Sequence, residues 1–438
     1  MPKGPRSAAS AATGVLSRWT VVPPPRFVGN NQVLLLQGGE ALFPSMVRAI
    51  DAAEHEVWLA TYIFHNDAAA NHIAQALNAA AARGVAVHVV LDGFGSIATM
   101  DSVREMLSGS GVRLEVFRPL DRWYSWLQPG QLRRLHQKLC VCDGQVAFVG
   151  GINLIDDRND MSHGWVDTPR LDFAVRVTGP LAEAIGLTAR AMWARAHLSR
   201  GWRQEVRVLA RSAQPVNEVL SLVRQLRGAA PALAHDPAAA AADAAPVPMS
   251  AAFVVRDNVR QRRAIEHSYV EAIKNAQRRV DIAVPYFYPG QRFRRALRRA
   301  ARRGVQVRLL LQGKVDYRVA AMAARALYEE LRANGVRIFE YTPAFLHAKV
   351  ALVDDDWATV GSSNIDPLSL LLNLEANVVV RDPEFTQSLA QCFDAAFAVS
   401  QEVGLAPLKS GLRGWLQRMA IAWAASVYLR VAGITGRY

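Results

Sequence analysis

The chain is expected to fold as two fused α/β units, and three observations lead there. Apolar strand-like runs alternate with amphipathic helical stretches, the alternation occurs twice, and a histidine-containing motif recurs at the same place in each copy. At 438 residues the chain exceeds one typical domain, and its 51% hydrophobic content supplies apolar material for two cores.

In the first half, the runs 57–63, 85–91, 139–142 and 146–149 have the composition of buried strands, and 68–82 and 181–196 show helical periodicity. The second half repeats this with strands at 280–284, 305–311, 350–353 and 378–380 and helices at 292–303 and 321–334. The copies also share their junctions. Arg83-Gly84-Val85 parallels Arg303-Gly304-Val305, and Gly111-Val112-Arg113 parallels Gly335-Val336-Arg337, each a glycine between a helix and a strand. An Ala/Pro-rich, low-complexity stretch at 228–250 reads as the linker. The expected organisation is therefore a basic, disordered tail (1–30), a first unit (31–227), the linker, a second unit (251–403) and a basic amphipathic terminal segment (404–438).

The repeated motif carries the chemistry. One copy has His136, Lys138 and Asp143 followed by Gly150-Gly151-Ile152-Asn153; the other has His347, Lys349 and Asp354 followed by Gly361-Ser362-Ser363-Asn364. In both, the Asn lies seventeen residues after the His, a coincidence of spacing and flanks that argues against chance. Two histidines, two lysines and two asparagines suit reaction at a phosphate. A neutral imidazole can attack phosphorus while a second, protonated one hands its proton to the leaving alcohol. The lysines, with Asn153 and Asn364, can clamp the non-bridging oxygens. This chemistry calls for no metal and no bound cofactor.

An imidazole reacting through one nitrogen needs the other held, and a carboxylate does this while stabilising the cation. Leu171-Asp172-Phe173 lines up with Leu374-Glu375-Ala376, so Asp172 and Glu375 are each expected to orient a histidine. The first spacing is eight residues longer, read as an inserted loop at 156–169. The candidate catalytic set is His136, Lys138, Asp143, His347, Lys349 and Asp354. Within it, Asp143 and Asp354 fall at a strand end and are assigned to local structure and charge balance rather than to proton transfer.

The paired motifs resemble the HKD motifs of the phospholipase D superfamily. Gly150 to Asn153, and Trp357 to Pro367 through Asn373-Leu374-Glu375-Ala376-Asn377, are similar to bacterial cardiolipin synthases, in particular a shorter type without amino-terminal transmembrane helices. The likeness runs from about Val33 to Ser400. It implies two α/β/α sandwich repeats about a pseudo-twofold axis, with both histidines facing one cleft at their interface and neither half active alone. It also implies phosphatidyl transfer between two phosphatidylglycerol molecules, giving cardiolipin and glycerol through a phosphatidyl-histidine on His136. The alternatives are a hydrolytic phospholipase D and a nuclease of the same superfamily; a non-enzymatic membrane-binding module is disfavoured by the two intact motifs.

Charge and patterning bear on the partner. With 51 Lys plus Arg against 38 Asp plus Glu, the net charge is +13, suited to anionic lipid or nucleic acid. The arginines at 292–303 have helical spacing, as an anion-binding face or as an ordinary solvated one. Residues 120–130, with Trp123, Tyr124 and Trp126, are extra in the first copy and suit a membrane–water boundary or a loop packed on its own domain. Met419 to Leu429 is an uncharged eleven, too short to span a bilayer, and fits an interfacial helix or a docked terminal one. Residues 1–18 lack the apolar core of a signal peptide. Three cysteines fit a reducing compartment; Cys140 and Cys142 should share one strand face, and metal ligation by that pair is disfavoured. His163, in the inserted loop, reads as a plain surface histidine, with contact to substrate the alternative. The expected partner is an anionic phosphatidylglycerol membrane rather than nucleic acid, and the expected location the cytoplasmic face of a bacterial inner membrane, held peripherally.

Overall fold

A computed structural model describes residues 25–119, 133–161, 163–209, 248–257, 261–314 and 318–404. The aromatic insert at 120–130, the main part of the linker and the terminal segment from 405 lie outside the described residues.

The first half runs β1 (Val28–Gln37), α1 (Gly38–Asp51), β2 (Glu56–Thr61), α2 (Ala68–Ala82), β3 (Ala86–Asp92), α3 (Met100–Met106), β4 (Arg113–Phe117), β5 (Leu139–Cys142), β6 (Val146–Gly150), β7 (Asn159–Asp160), β8 (Gly164–Trp165), β9 (Phe173–Thr178) and α4 (Pro180–Leu209). The second half runs β10 (Met249–Arg256), α5 (Ala264–Asn275), β11 (Arg279–Val284), α6 (Gln291–Arg302), β12 (Gln306–Gln312), α7 (Arg318–Arg325), α8 (Tyr328–Arg332), β13 (Arg337–Tyr341), β14 (Val350–Val353), β15 (Trp357–Gly361), α9 (Pro367–Leu371), β16 (Glu375–Arg381), α10 (Pro383–Ala398) and β17 (Gln401–Glu402).

Fifteen strands form one sheet in the order β17-β13-β12-β11-β14-β15-β16-β10-β1-β9-β6-β5-β2-β3-β4. From the centre outward each half repeats the same sequence of partners: β1, β9, β6, β5, β2, β3, β4 on one side and β10, β16, β15, β14, β11, β12, β13 on the other. The two repeats are thus related by a pseudo-twofold axis between β1 and β10, which pair antiparallel with Val28 opposite Ala251 and Asn31 opposite Met249. This pairing recruits Val28 and Met249 into strands, so the sheet starts a few residues inside the segments read as tail and linker.

Strand alternation sorts side chains into layers. Leu139 and Val141 join Val350 and Leu352 in a core shared by both halves and covered by α4 and α10. Cys140 and Cys142 point the other way, into the core under α1 and α2, so they do share one face as expected. In the second half Ala351 and Val353 do the same under α5 and α6. The result is an α/β/α sandwich in each half. The helix expected at 321–334 is instead two, broken at Ala326 and Leu327, where Ala326 N–H is shared between Met322 O and Ala323 O and Leu327 N–H donates three residues back to Ala324 O. The arginines of α6 surround a buried stripe of Phe293, Ala296, Leu297 and Ala300, and Arg294 and Arg298 pair with Glu330. The inserted loop holds a small hairpin, β7 with β8.

Candidate active site

The two motif histidines are fastened across the repeat junction. Leu135 bridges Leu374 and Leu171 bridges Leu346, both in parallel. His136 N–H donates to Leu374 O at 3.0 Å, and His347 N–H donates to Leu171 O at 2.9 Å. Each motif therefore lies against the residue preceding the acid of the other half. The side chains follow: His136 Nδ1 lies 3.0 Å from Glu375 Oε2, and His347 Nδ1 lies 2.6 Å from Asp172 Oδ2. Each acid lies against a motif histidine, but crosswise, meeting that of the opposite repeat. With Nδ1–H donating to a carboxylate, Nε2 of each ring is left with its lone pair for chemistry.

Both histidines line one cleft of about 370 Å3, with Asn153 and Asn364, Tyr62, Tyr286, Arg170, Asn373 and Asp366 among its walls. Lys138 and Lys349 are buried beneath it, and each Nζ donates to the carbonyl of its own motif histidine, Lys138 at 2.7 Å to His136 O. Asn153 Oδ1 accepts from Ile63 N–H at 3.3 Å, while Asn364 Oδ1 is buried without a hydrogen-bond partner. His163 is exposed, donates to Asp160, and tilts against the cleft residue Phe345 with ring centroids 5.2 Å apart.

Asp143 and Asp354 stand at the far ends of β5 and β14 from the lysines. Asp143 accepts from the N–H groups of Glu54, His55 and Glu56 at 2.8–2.9 Å. Asp354 does the same for Gln277, Arg278 and Arg279. Both adopt left-handed backbone, φ 51° and 52°, which aspartate tolerates at a hairpin turn better than most residues. Their geometry ties the turn after the motif strand to the start of β2 or β11.

Four positioning residues escaped the sequence reading. Asp92 Oδ2 accepts Leu135 N–H at 2.8 Å and Gln312 Oε1 accepts Leu346 N–H at 2.6 Å, so the last residue of β3 and of β12 holds the residue before each histidine. Both directly follow the matched runs 85–91 and 305–311, but an aspartate and a glutamine at one repeat position make no shared motif. Ser362 Oγ donates to Glu375 Oε2 at 2.5 Å. Its counterpart is Gly151, where a Cβ would lie 2.3 Å from Asp172 Oδ1, so the Asp172 carboxylate occupies that space.

Electrostatics follow from burial. Burial lowers the pKa of His136, opposed by Glu375. His347 is held well below its ordinary value by burial, then by Lys349 and Arg170. Burial also pushes Lys138 down to about 7 and pushes Asp172 up to about 6, the latter against Lys349. Glu375 differs: burial would raise it, but His136, Lys138 and Ser362 outweigh that and hold it below the ordinary range. Among the described residues no group of three or more His, Cys, Asp or Glu is placed to hold a metal ion, and no helix is long and apolar enough to cross a membrane.

Comparison with known proteins agrees with this geometry. The family model described as "Cardiolipin synthase, PLD-like domain" matches residues 46–163 and 269–397, one match per repeat. Cardiolipin synthase B of Shigella flexneri is 38% identical over 371 residues, covering 82% of this chain and 78% of its own. Cardiolipin synthase A of Pseudomonas putida (strain GB-1) is 33% identical, covering 86% of this chain and 70% of its own. Among solved structures, phosphatidylserine synthase of Haemophilus influenzae Rd KW20 shares the fold with a TM-score of 0.60 at 11% identity, over 95% of this chain and 97% of that one. Two motif-bearing repeats with crossed histidine–carboxylate pairs, each repeat matched by the same family model, place the chain in the cardiolipin synthase family of phospholipase D-like proteins.

Proposed function

We propose that the protein is a phosphatidyltransferase that makes cardiolipin and glycerol from two phosphatidylglycerol molecules. The observation that carries this is the pair of motif histidines, each held at Nδ1 by a buried carboxylate and sharing one cleft. His136 Nε2 attacks the donor phosphorus, the bond from phosphorus to the glycerol oxygen breaks, and His347 Nε2 gives that oxygen its proton. The anionic phosphodiester itself favours protonation of His347, opposing the burial that lowers its pKa. In the second step His347 takes the proton of an acceptor hydroxyl, the new phosphorus–oxygen bond forms, and the bond to His136 breaks. Lys138, Lys349, Asn153 and Asn364 hold the non-bridging oxygens; Asp172 and Glu375 hold the rings. Asp143 and Asp354 secure the strands that carry the lysines.

The partner surface is an anionic phospholipid membrane, supported by the net charge of +13 and by the substrate's own chemistry. The names of the relatives support a phospholipid substrate. We place the protein peripherally on the cytoplasmic face of a bacterial inner membrane.

The test is incubation with headgroup- and acyl-labelled phosphatidylglycerol in mixed micelles containing a chelator, followed by separation of lipids and released glycerol. Cardiolipin plus glycerol, absent from His136→Ala and His347→Ala, is the expected result. Phosphatidic acid plus glycerol would make it a hydrolase; cleavage of added single-stranded DNA without lipid turnover would make it a nuclease. Trapping the covalent adduct on His347 would reverse the two histidine roles.

A further inference from the structure

The two flanks of the cleft are not equivalent, and the difference lies where an acceptor must sit. Two residues before each acid, the first repeat has Arg170 and the second has Asn373, and both line the cleft. Among the described residues lining that cleft, Arg170 is the only arginine or lysine. It lies on the His347 flank: Leu171, next in the chain, exchanges backbone hydrogen bonds with Phe345 and His347. Arg170 Nη2 donates to Asn159 O at 3.0 Å, and Asp160 Oδ2 stands 3.7 Å away, so the inserted hairpin holds the guanidinium in place. A guanidinium has five N–H donors, and these contacts use few of them.

The proposed reaction gives this asymmetry a purpose. Glycerol leaves from the His347 side and the acceptor hydroxyl arrives there, since the same imidazole gives and takes the proton. A free glycerol occupying that place is neutral. The glycerol of an acceptor phosphatidylglycerol carries a second phosphodiester three carbons away, and that anion enters a site already holding one. Guanidinium is the group suited to binding it in two-pronged fashion.

We infer that Arg170 binds the phosphodiester of the acceptor phospholipid and so distinguishes a lipid acceptor from a small neutral alcohol. This rests on the transfer reading above, with His347 as the acid and base of both steps. As a ligand of the acceptor phosphate Arg170 acts only in the second step with a phospholipid acceptor, whereas its charge beside His347 bears on both reactions and is removed by taking their ratio.

The experiment compares two reactions in one micelle preparation: cardiolipin formation from phosphatidylglycerol, and exchange of labelled free glycerol into phosphatidylglycerol. Both use the same donor and the same covalent intermediate. Arg170→Gln is expected to reduce cardiolipin formation at least tenfold relative to exchange, through a raised apparent KM for acceptor lipid, and Arg170→Lys to restore part of that ratio. Equal losses of both reactions in Arg170→Gln would overturn the assignment. If Arg170→Gln does not fold, Arg170→Lys against the native protein decides the matter by the same ratio. Wild-type protein that performs neither reaction would sink the transfer reading, and the acceptor site with it.

Discussion

Glu375 Oε2 lies 3.0 Å from His136 Nδ1, although 239 residues separate them in the chain. The reciprocal contact joins Asp172 to His347. Neither motif histidine finds its carboxylate within its own repeat, so the paired unit exists only at the junction that the β1–β10 pairing and the two parallel bridges create.

That crossing predicts which histidine each acid controls. Glu375 raises the pKa of His136 against burial, so Glu375→Gln should lower it further while leaving His347 as it was. Asp172→Asn should instead disturb the Nδ1–H tautomer of His347. Each variant should lose on the order of 10⁴-fold in kcat, the loss seen when an orienting carboxylate is neutralised beside a catalytic histidine. Nitrogen-15 spectra of labelled histidine would check the pairing; a change confined to His347 in Glu375→Gln would contradict it.

The repeats differ beneath those acids. Gly151 leaves room for the Asp172 carboxylate, and any Cβ there would meet Asp172 Oδ1 at 2.3 Å. Backbone and carboxylate are both buried, so the carboxylate must move and His347 loses its partner. Gly151→Ala should therefore cost 100-fold or more in kcat. Ser362→Ala removes one donor to Glu375 but leaves the His136 contact, and should cost on the order of tenfold, about the worth of one hydrogen bond to a charged group. Steady-state kinetics on folded variants, verified by circular dichroism, would show the order; a more damaging Ser362→Ala would refute it.

Asp143 and Asp354 should behave as stability residues. Each carboxylate satisfies three backbone N–H groups, so Asp143→Ala leaves those donors to solvent and puts alanine at φ 51°. A loss on the order of 1–3 kcal/mol is expected from the unsatisfied donors and strain. Activity per folded molecule should stay within a few-fold of wild type. Denaturant melts read beside kcat would reveal the opposite pattern, if it exists, at once.

Much of this was legible in the sequence because the repeat supplied an internal comparison. His136 with His347, Lys138 with Lys349, Asn153 with Asn364, and Asp172 with Glu375 could each be matched by position, and the strands 139–142 and 350–353 fall where expected. What periodicity could not give was partnership across the junction: Asp172 and Glu375 read the same whether they serve their own repeat or the other. Gly151 and Ser362 occupy one repeat position with different chemistry, which only the carboxylate above them explains. Asp92 and Gln312 act through a backbone N–H, and that contact leaves no motif. The break at Ala326 was hidden because helical periodicity continues through a single tight turn.

The pH profile follows from two buried groups with opposite shifts. Burial raises Asp172 from 3.8 to about 6, so below that pH it gains a proton and ceases to hold His347 as a carboxylate. Burial lowers Lys138 from 10.5 to about 7, so above that pH it loses the charge needed at phosphorus. The free enzyme should therefore show a narrow bell in kcat/KM between about pH 6 and 7, the two limbs belonging to a coupled cluster. Stability runs the other way. The folded state binds the Asp172 proton more tightly than the unfolded chain does, so its contribution is present below 3.8 and lost as pH rises through about 6. For Lys138 the folded state binds its proton less tightly, so stability rises between about 7 and 10.5. A bound phosphodiester favours charged lysine, which should carry the alkaline limb of kcat to higher pH than that of kcat/KM. Rates measured from pH 5 to 9 at saturating and at low phosphatidylglycerol would test this; coincident alkaline limbs would mean that Lys138 does not meet the phosphate.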